Sequence, residues 1–573
     1  MAKTRVLVTD KIDEAGLSIL KQSSEVDYKP GLSPDELKNI IKDYDALLVR
    51  SQTQATKEIL EHASKLKIIG RAGVGVDNID VETATERGII VVNSPEGNTI
   101  AAAEHTVALM MALARHIPAA DLSCKQNKWD RAKFVGTELN GHVLGIVGLG
   151  KIGQRVGKAA LALGMKVIAY DPFISKERAE DLGFTRLELN EIFTQSDYIT
   201  LHVPKTKETM DLISKESIAK MKDGVRIINC ARGGLINEQD LADAIKSGKV
   251  AGAAVDVFPE EPCLDSPLHS CGDKVILTPH LGASTTQAQL NVAIDVAEQI
   301  RDVLKGGVAR AAVNLPGLKP ELVKHIKHYL GIAEVMGSFL SQICDDAVKS
   351  IEVEALGKLA DKNIEGLKLA VLKGVLAARI DGVTFVNAPL IAAERKIKVT
   401  ELKSDDSGAY IDKLRVTLTT DTETHTVAGS VLQGNLPSII QVDAYPLIFR
   451  PEKHSIVTFH KDQPGVVAQV SKILWDKQIN ISGMNLGRMK TKSLPEKLPD
   501  ARHASSENAE LTKMSMSSSR NEHNNADGTL QAGSSHAVMI IGVDSEVDDD
   551  SLKLIESLSG IEDARYVKLK GKI

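Results

Sequence analysis

Val143-Leu-Gly-Ile-Val-Gly-Leu-Gly-Lys-Ile-Gly153 decides the fold. The apolar run Val143–Val147 reads as a strand, and Gly148-Leu-Gly150-Lys-Ile-Gly153 opens a helix after it. Gly148 permits a tight turn, Gly150 lets the backbone approach a pyrophosphate, and Gly153 allows close packing of helix on strand. The helix start offers free N–H groups and a positive dipole end to phosphates, so Lys151 and Ile152 count with the glycines as cofactor-binding residues. The next apolar run, Val167-Ile-Ala-Tyr-Asp171, ends in an acid 18 residues beyond Gly153. A carboxylate there accepts hydrogen bonds from both ribose hydroxyls and repels a 2′-phosphate, which favours NAD over NADP. A bare glycine motif fits a ligand-free turn equally well. The strand, the helix and the acid together argue for a dinucleotide.

The same alternation extends in both directions. Upstream, Arg5–Thr9, Ala46–Arg50, Leu66–Gly70 and Gly88–Val92 read as strands, with helices at Ile12–Gln22 and Lys57–Ala63 between them. A long helix at about Ile100–Arg115 leads to the nucleotide unit. Its further strands are Lys166–Tyr170, Tyr198–Leu201, Arg226–Asn229, Gly252–Val255 and Val275–Thr278. Strand–helix alternation of this kind predicts an α/β fold with two doubly wound parallel sheets. The helical stretch Thr285–Leu304 is expected to pack back on the first unit, and Asn314-Leu-Pro-Gly317 marks a boundary.

Residues 318–450 mix helical patterns (Val323–Leu340, Leu367–Ala378) with strand-like runs such as Leu414–Leu418, which predicts an α+β domain. From 452 onward the pattern is strand Ser455–His460, helix Val466–Asp476, a strand from near Ile479, strand Ala537–Val543, helix Asp550–Leu558 and strand Ala564–Leu569. That is βαββαβ. It is interrupted at 491–535, a segment with nine serines and no Val, Ile, Phe, Tyr or Trp. Such a composition buries too little apolar surface to order itself, and a flexible loop is expected.

The 573 residues carry a net charge of -6 without a basic block, so no nucleic-acid partner is expected. Five cysteines, an odd number with no CxxC pair, argue against disulfides and a zinc site and for a reducing compartment. Cys230, among small apolar neighbours, reads as a structural thiol. The first residues pass straight into a strand with no apolar leader, and no apolar run is long enough to span a bilayer. These features predict a cytoplasmic chain with no membrane partner.

Three further pieces carry chemistry: Asn229-Cys-Ala-Arg-Gly-Gly234, Asp256-Val-Phe-Pro-Glu-Glu-Pro262 and Thr278-Pro-His-Leu-Gly282. Oxidising a 2-hydroxy acid requires a base for the hydroxyl proton, a cation for the carboxylate and a group that orients the base. His280 suits the base, since imidazole titrates near neutrality. Arg232 suits the cation, its planar fork matching a carboxylate. A carboxylate suits the orienter, and the residues alone leave Glu261 and its neighbour Glu260 both open. Each piece taken singly also fits a turn cap or a surface charge. Their joint occurrence, in order, within one nucleotide-binding unit favours catalysis. His62, His105, His116, His142 and His202 lack that context and read as structural or exposed.

At these residues the chain resembles the D-isomer-specific 2-hydroxyacid dehydrogenases. The matching motifs include Arg71-Ala-Gly-Val-Gly-Val-Asp-Asn-Ile-Asp80 and Ala103-Glu-His-Thr106, and the match spans about 1–315. The resemblance selects Glu261, five residues after Asp256. It implies Ala231, Arg232, Asp256, His280 and Gly282 around the cofactor, with Asp256 near its nicotinamide end. It also implies a substrate domain from 1–98 and 285–314, with the nucleotide domain, 99–284, inserted between. Within the family the similarity is to members that oxidise D-3-phosphoglycerate to 3-phosphohydroxypyruvate with NAD, opening the phosphorylated route to L-serine. Arg50, Arg71, Gly73 and Val74 match their substrate positions, with Arg131 and Lys133 as weaker candidates for the phosphate.

Residues 318–450 resemble the intervening domain of the long members, and 452–573 resemble an ACT domain, an amino-acid sensor. His460, Asp462 and Asn480 match its ligand positions, although Asp462 stands where serine-inhibited relatives carry Asn. A homotetramer or dimer, with L-serine as effector, is implied. Two other readings compete: a sibling acting on glyoxylate or hydroxypyruvate, and an NAD-sensing corepressor on the same two domains.

Overall fold

Five short runs, β1 (Thr4–Val8), β2 (Ser24–Tyr28), β3 (Ala46–Val49), β4 (Ile68–Arg71) and β5 (Ile90–Val92), form a sheet in the order β2-β1-β3-β4-β5. Every pairing in it is parallel. The structure is a computed structural model that describes residues 3–318, 320–432, 436–488 and 536–569. It divides into two units, Met1–Lys319 and Pro320–Ile573.

β3 is buried along its whole length, as a strand covered on both faces must be. Helix α1 (Glu14–Lys21) covers part of one face, and its first turn is capped by the Asp13 carboxylate. β2 was not expected from the sequence. It is an edge strand with charged residues on either side of Val26, and pairing with β1 defines it rather than apolar character.

After helix α2 (Thr99–Ala114) comes a second parallel sheet: β6 (Val143–Val147), β7 (Lys166–Tyr170), β8 (Thr185–Arg186), β9 (Tyr198–Leu201), β10 (Val225–Asn229), β11 (Val250–Val255) and β12 (Val275–Leu277). Their order is β12-β11-β10-β9-β6-β7-β8. The winding reverses between β6 and β9, and ligands of such sheets sit at the carboxyl ends of the strands flanking that point. The glycine loop follows β6 there, ahead of helix α3 (Lys151–Ala162).

The chain then returns to the first sheet. Helix α4 (Thr286–Leu304) buries Val292, Val296, Ala297 and Ile300 against Val6, Val8, Ile68 and Val92. The approach at β4 is close: a Cβ on Gly70 would lie 2.5 Å from Val296 and 2.7 Å from Ile300. Past α4, Ala312 bridges to Val92, and the Asn314 side chain accepts the Val91 N–H and donates to the Ile89 carbonyl.

The second unit opens with helix α5 (Pro320–Ile343), which packs on α6 (Glu365–Ala377). Gly337 and Gly374 set that contact, since a Cβ on either would strike the facing backbone at 2.2 Å and 2.0 Å. Both helices lie on a mixed sheet of β13 (Ser350–Gly357), β14 (Lys398–Ser404), β15 (Asp412–Thr419), β16 (Thr424–Leu432), β17 (Leu436–Val442) and β18 (Tyr445–Phe449), ordered β14-β13-β15-β16-β17-β18.

The last sheet, β20-β21-β19-β22, is antiparallel. It comprises β19 (His454–Lys461), helix α7 (Val466–Asp476), β20 (Ile481–Arg488), β21 (His536–Val543), helix α8 (Asp549–Glu556) and β22 (Ile561–Lys568), the βαββαβ sequence. Val470, Leu474 and Ile555 of the helices pack on Ile456, Met539 and Ile541 of the strands. The expected loop at 491–535 lies outside the described residues. Among those described, no single helix is long and apolar enough to cross a membrane.

Candidate active site

The end of β4 and the loops after β3, β10, β11 and β12 bring Arg71, Arg50, Arg232, Glu261 and His280 to one cleft of about 710 Å³. That is the size of a small-molecule site.

His280 sits in the left-handed region at φ 54, and its N–H donates to the Asp256 and Thr278 carbonyls. Such strain in a non-glycine residue persists only where its surroundings impose it. Its Nδ1 lies 2.7 Å from Glu261 Oε2, while Glu261 Oε1 accepts the Phe258 N–H at 3.1 Å. Glu261, not Glu260, is the carboxylate that meets the imidazole. Burial pushes the Glu261 carboxyl up, but the His280 and Phe258 hydrogen bonds outweigh it and hold it below its ordinary range. The pairing leaves Nε2 as the ring nitrogen free for substrate.

The Asp256 side chain is wholly buried. Oδ1 accepts the Leu281 N–H at 2.7 Å and the Thr278 hydroxyl at 2.6 Å, with His105 Nε2 at 3.2 Å, and Oδ2 accepts the Gly282 N–H at 2.9 Å. Asp256 therefore holds the turn that carries His280. Burial raises its carboxyl, but these bonds prevail and keep it below the usual range. His105 is structural here, as the sequence suggested.

Asn229 fixes the Arg232 loop, accepting the Ala231 N–H at 3.0 Å and donating to the Arg232 carbonyl at 2.9 Å. Arg232 Nε reaches Asp77 at 3.2 Å and Nη1 donates to the Ala231 carbonyl at 2.6 Å. Arg50 is set by its backbone: the buried Asp10 accepts its N–H at 2.6 Å, and Asn78 donates to its carbonyl at 2.8 Å. Burial, then the fields of Arg232 and Arg50, push the Arg71 guanidinium down to about 10, with Asp77 opposing. Arg71 Nε is buried and unpartnered. Three cations held near one another, one with an orphaned donor, suit an anionic ligand. Gly73 makes room for the arginine, since a Cβ there would lie 1.5 Å from Arg71 Nη1. Val74 shares this loop and its carbonyl accepts from Asn93. Arg131 and Lys133 do not line the cleft, and Lys133 pairs with Asp273 on the surface instead.

Sequence reading passed over Asp77, Asn78 and Asp10. The first two stood inside the Arg71–Asp80 motif and could have been found there. Asp10 had only its place after a strand.

The glycine loop has the shape a dinucleotide needs. A Cβ on Gly148, at φ 99, would meet the His202 carbonyl at 2.4 Å, and one on Gly153 would meet the Gly148 carbonyl at 2.1 Å. At Gly150 a Cβ would meet nothing within 4 Å, so space is open where phosphates would lie. No side chain caps α3, leaving its first N–H groups to a ligand. Asp171 accepts the Leu149 and Phe173 N–H groups at 2.8 Å, which ties the acid to the loop. Lys151 pairs with Glu96. Burial pushes the His202 imidazole down to about 4 and the Cys230 thiol up to about 12, so neither is a base or nucleophile at neutrality.

In the second unit the three expected sensor residues each have a partner. His460 is buried within β19 with Nδ1 3.3 Å from the Thr458 hydroxyl, which removes it from any exposed ligand site. Asp462 pairs with Arg488 at 3.0 Å, and Asn480 donates to Asp544 at 2.6 Å.

Residues 107–282 match the family model of the D-isomer specific 2-hydroxyacid dehydrogenase NAD binding domain, and residues 325–443 match that of the D-3-phosphoglycerate dehydrogenase intervening domain. The chain is 48% identical over 505 residues to a D-3-phosphoglycerate dehydrogenase of Synechocystis sp., covering 87% of this chain and 91% of the relative. It is 46% identical over 486 residues to one of Methanocaldococcus jannaschii, covering 84% and 92%. The solved glyoxylate reductase of Paecilomyes thermophila is similar at a TM-score of 0.52 and 29% identity, covering 55% of this chain and 99% of that one. The chain belongs to the D-3-phosphoglycerate dehydrogenase family of NAD-dependent D-isomer specific 2-hydroxyacid dehydrogenases.

Proposed function

We propose that the chain oxidises D-3-phosphoglycerate to 3-phosphohydroxypyruvate with NAD, at the opening step of the phosphorylated route to L-serine. The observation that carries this reading is the meeting of the Glu261–His280 pair with Arg50, Arg71 and Arg232 in one cleft. Gly148, Gly150, Lys151, Ile152, Gly153 and Asp171 would hold the dinucleotide, with Ala231 and Gly282 in the loops beside it. NAD, when bound, supplies the acceptor for the hydride from C2.

His280 Nε2 takes the C2 hydroxyl proton as that bond to hydrogen breaks and the carbonyl forms. Glu261 holds the ring and stabilises the imidazolium that results. Arg232 offers its Nη groups to the substrate carboxylate and polarises the forming carbonyl. Arg50 and Arg71 take the phosphate. The reading places the enzyme in the cytoplasm as a homotetramer or dimer, with residues 1–98 and 285–314 as substrate domain and 99–284 as nucleotide domain. It also makes the last sheet an ACT sensor at which L-serine slows turnover, with Asp462 and Asn480 as ligand candidates.

The test is NADH oxidation with 3-phosphohydroxypyruvate as substrate. A strong preference for glyoxylate or hydroxypyruvate would move the chain to a sibling activity. A serine titration that leaves both rate and melting temperature unchanged would remove the effector.

A further inference from the structure

The second unit carries a cluster of chemistry that the dehydrogenase reaction does not use. Cys344 lies just past α5, Glu423 in the turn between β15 and β16, and His425 near the start of β16. One donor atom of each lies within 4.8 Å of the others. Spacing along the chain could not show this, because Cys344 lies in a segment far from the neighbouring Glu423 and His425.

The surroundings orient the donors. Asp443 Oδ2 lies 2.8 Å from His425 Nδ1, and its Oδ1 accepts the Thr426 N–H at 2.7 Å. With Nδ1–H given to Asp443, Nε2 is directed at Glu423 Oε2, 3.3 Å away. Glu423 Oε1 accepts the Asp345 N–H at 2.9 Å. Arg379 donates to the Cys344 carbonyl, which fixes the end of α5. Cys344 is 5% exposed, while the side chains of His425 and Glu423 are 18% and 29% exposed. The thiol therefore lies inside and the carboxylate at the mouth.

One thiolate, one imidazole and one carboxylate are a zinc-type donor set with a fourth position left for water. A carboxylate on the far nitrogen of a ligating imidazole is the usual support for such a set. We propose that Cys344, Glu423 and His425 form a site for a zinc-class divalent ion, oriented by Asp443.

Metal–donor bonds of about 2.0–2.3 Å need the donors to close by roughly 1 Å. The site stands at the joint of the two sheets of this unit. The His425 ring lies 5.8 Å from Phe459 of β19, and Asp345 makes a bidentate pair with Arg565 of β22 at 2.5 and 2.6 Å. An ion there ties the end of α5 to the β15–β16 turn, beside the last sheet.

The test titrates full-length protein, stripped with a chelator, with Co²⁺ as spectroscopic probe and Zn²⁺ as competitor. The expected result is one cobalt per chain with a thiolate-to-metal absorption band that Zn²⁺ abolishes. C344S should lose the band, H425A and E423Q should lose occupancy, and D443N should weaken binding by about 10- to 100-fold. NADH oxidation should be unchanged in all four. Should C344S fail to fold by circular dichroism, E423Q and D443N, at partly exposed side chains, decide the matter. No bound cobalt, a spectrum without the thiolate band, or affinity unchanged in E423Q and H425A would overturn the proposal.

Discussion

Replacing Asp256 by Asn removes a charge while keeping the shape of the side chain. Four donors converge on that carboxylate: the Leu281 and Gly282 N–H groups, the Thr278 hydroxyl and His105. An amide has one acceptor oxygen. In one orientation its NH₂ faces the Gly282 N–H, and in the other it faces the Leu281 N–H. Either way a buried donor is left unsatisfied, at about 1–3 kcal/mol. The remaining bonds lose their charge assistance, a further ~1 kcal/mol. The sum is roughly 2–4 kcal/mol, which should lower the melting temperature of the first unit by several degrees.

The pH dependence follows from the depressed carboxyl. A group whose folded value lies below its unfolded value, about 3.9 for Asp, contributes stability that is present above the unfolded value. That stability is lost as pH falls through the folded one. D256N should therefore lie below the parent at neutrality and converge on it in acid. Turnover should drop by roughly 100-fold as the His280 turn relaxes, the cost of a displacement of about 1 Å. Calorimetry across the acid range with parallel NADH assays provides the measurement. An unchanged neutral melting temperature, with an acid limb as steep as the parent's, would refute the reasoning.

H280A should lose about 100- to 10,000-fold in turnover, the usual worth of a general base, while NADH fluorescence titration shows intact binding. E261Q keeps the shape of the pair but not its charge. Because the two side chains are 42% and 36% exposed, the loss should be held to about 1–2 kcal/mol, or roughly 10-fold in kcat/KM. R50Q should raise KM for the phosphorylated substrate by roughly 10- to 100-fold, leaving kcat within a few fold. G148A forces a Cβ to 2.4 Å from the His202 carbonyl at a positive φ, and should cost at least ~2 kcal/mol by denaturant titration and weaken NADH binding.

The nucleotide loop was legible because its physics is local. Turn, phosphate approach and helix packing each constrain one glycine, and the three come within six residues. The residues alone left Glu260 and Glu261 open and the family resemblance selected Glu261; the structure puts the imidazole on that glutamate. Long-range assembly was less legible. That the Asp256 carboxylate gathers the Leu281 and Gly282 N–H groups was not legible, since those partners lie 25 and 26 residues on. Asp10 and Asp77 act through partners distant in sequence, 40 residues away for Arg50 and 155 for Arg232. β2 was missed because an edge strand needs a neighbour more than an apolar pattern.

The return of α4 to the first sheet also dictates the order in which the chain can mature. During synthesis Val6, Val8, Ile68 and Val92 emerge early, but their cover, Val292 to Ile300, follows only after residues 93–285 have left the ribosome. The seven-stranded sheet has all its strands before that cover arrives and can condense first. Until then the amino-terminal strands present an apolar face that α1 covers only in part. Truncations ending before α4 should therefore be handed to chaperones or aggregate, even though they contain every strand of both parallel sheets.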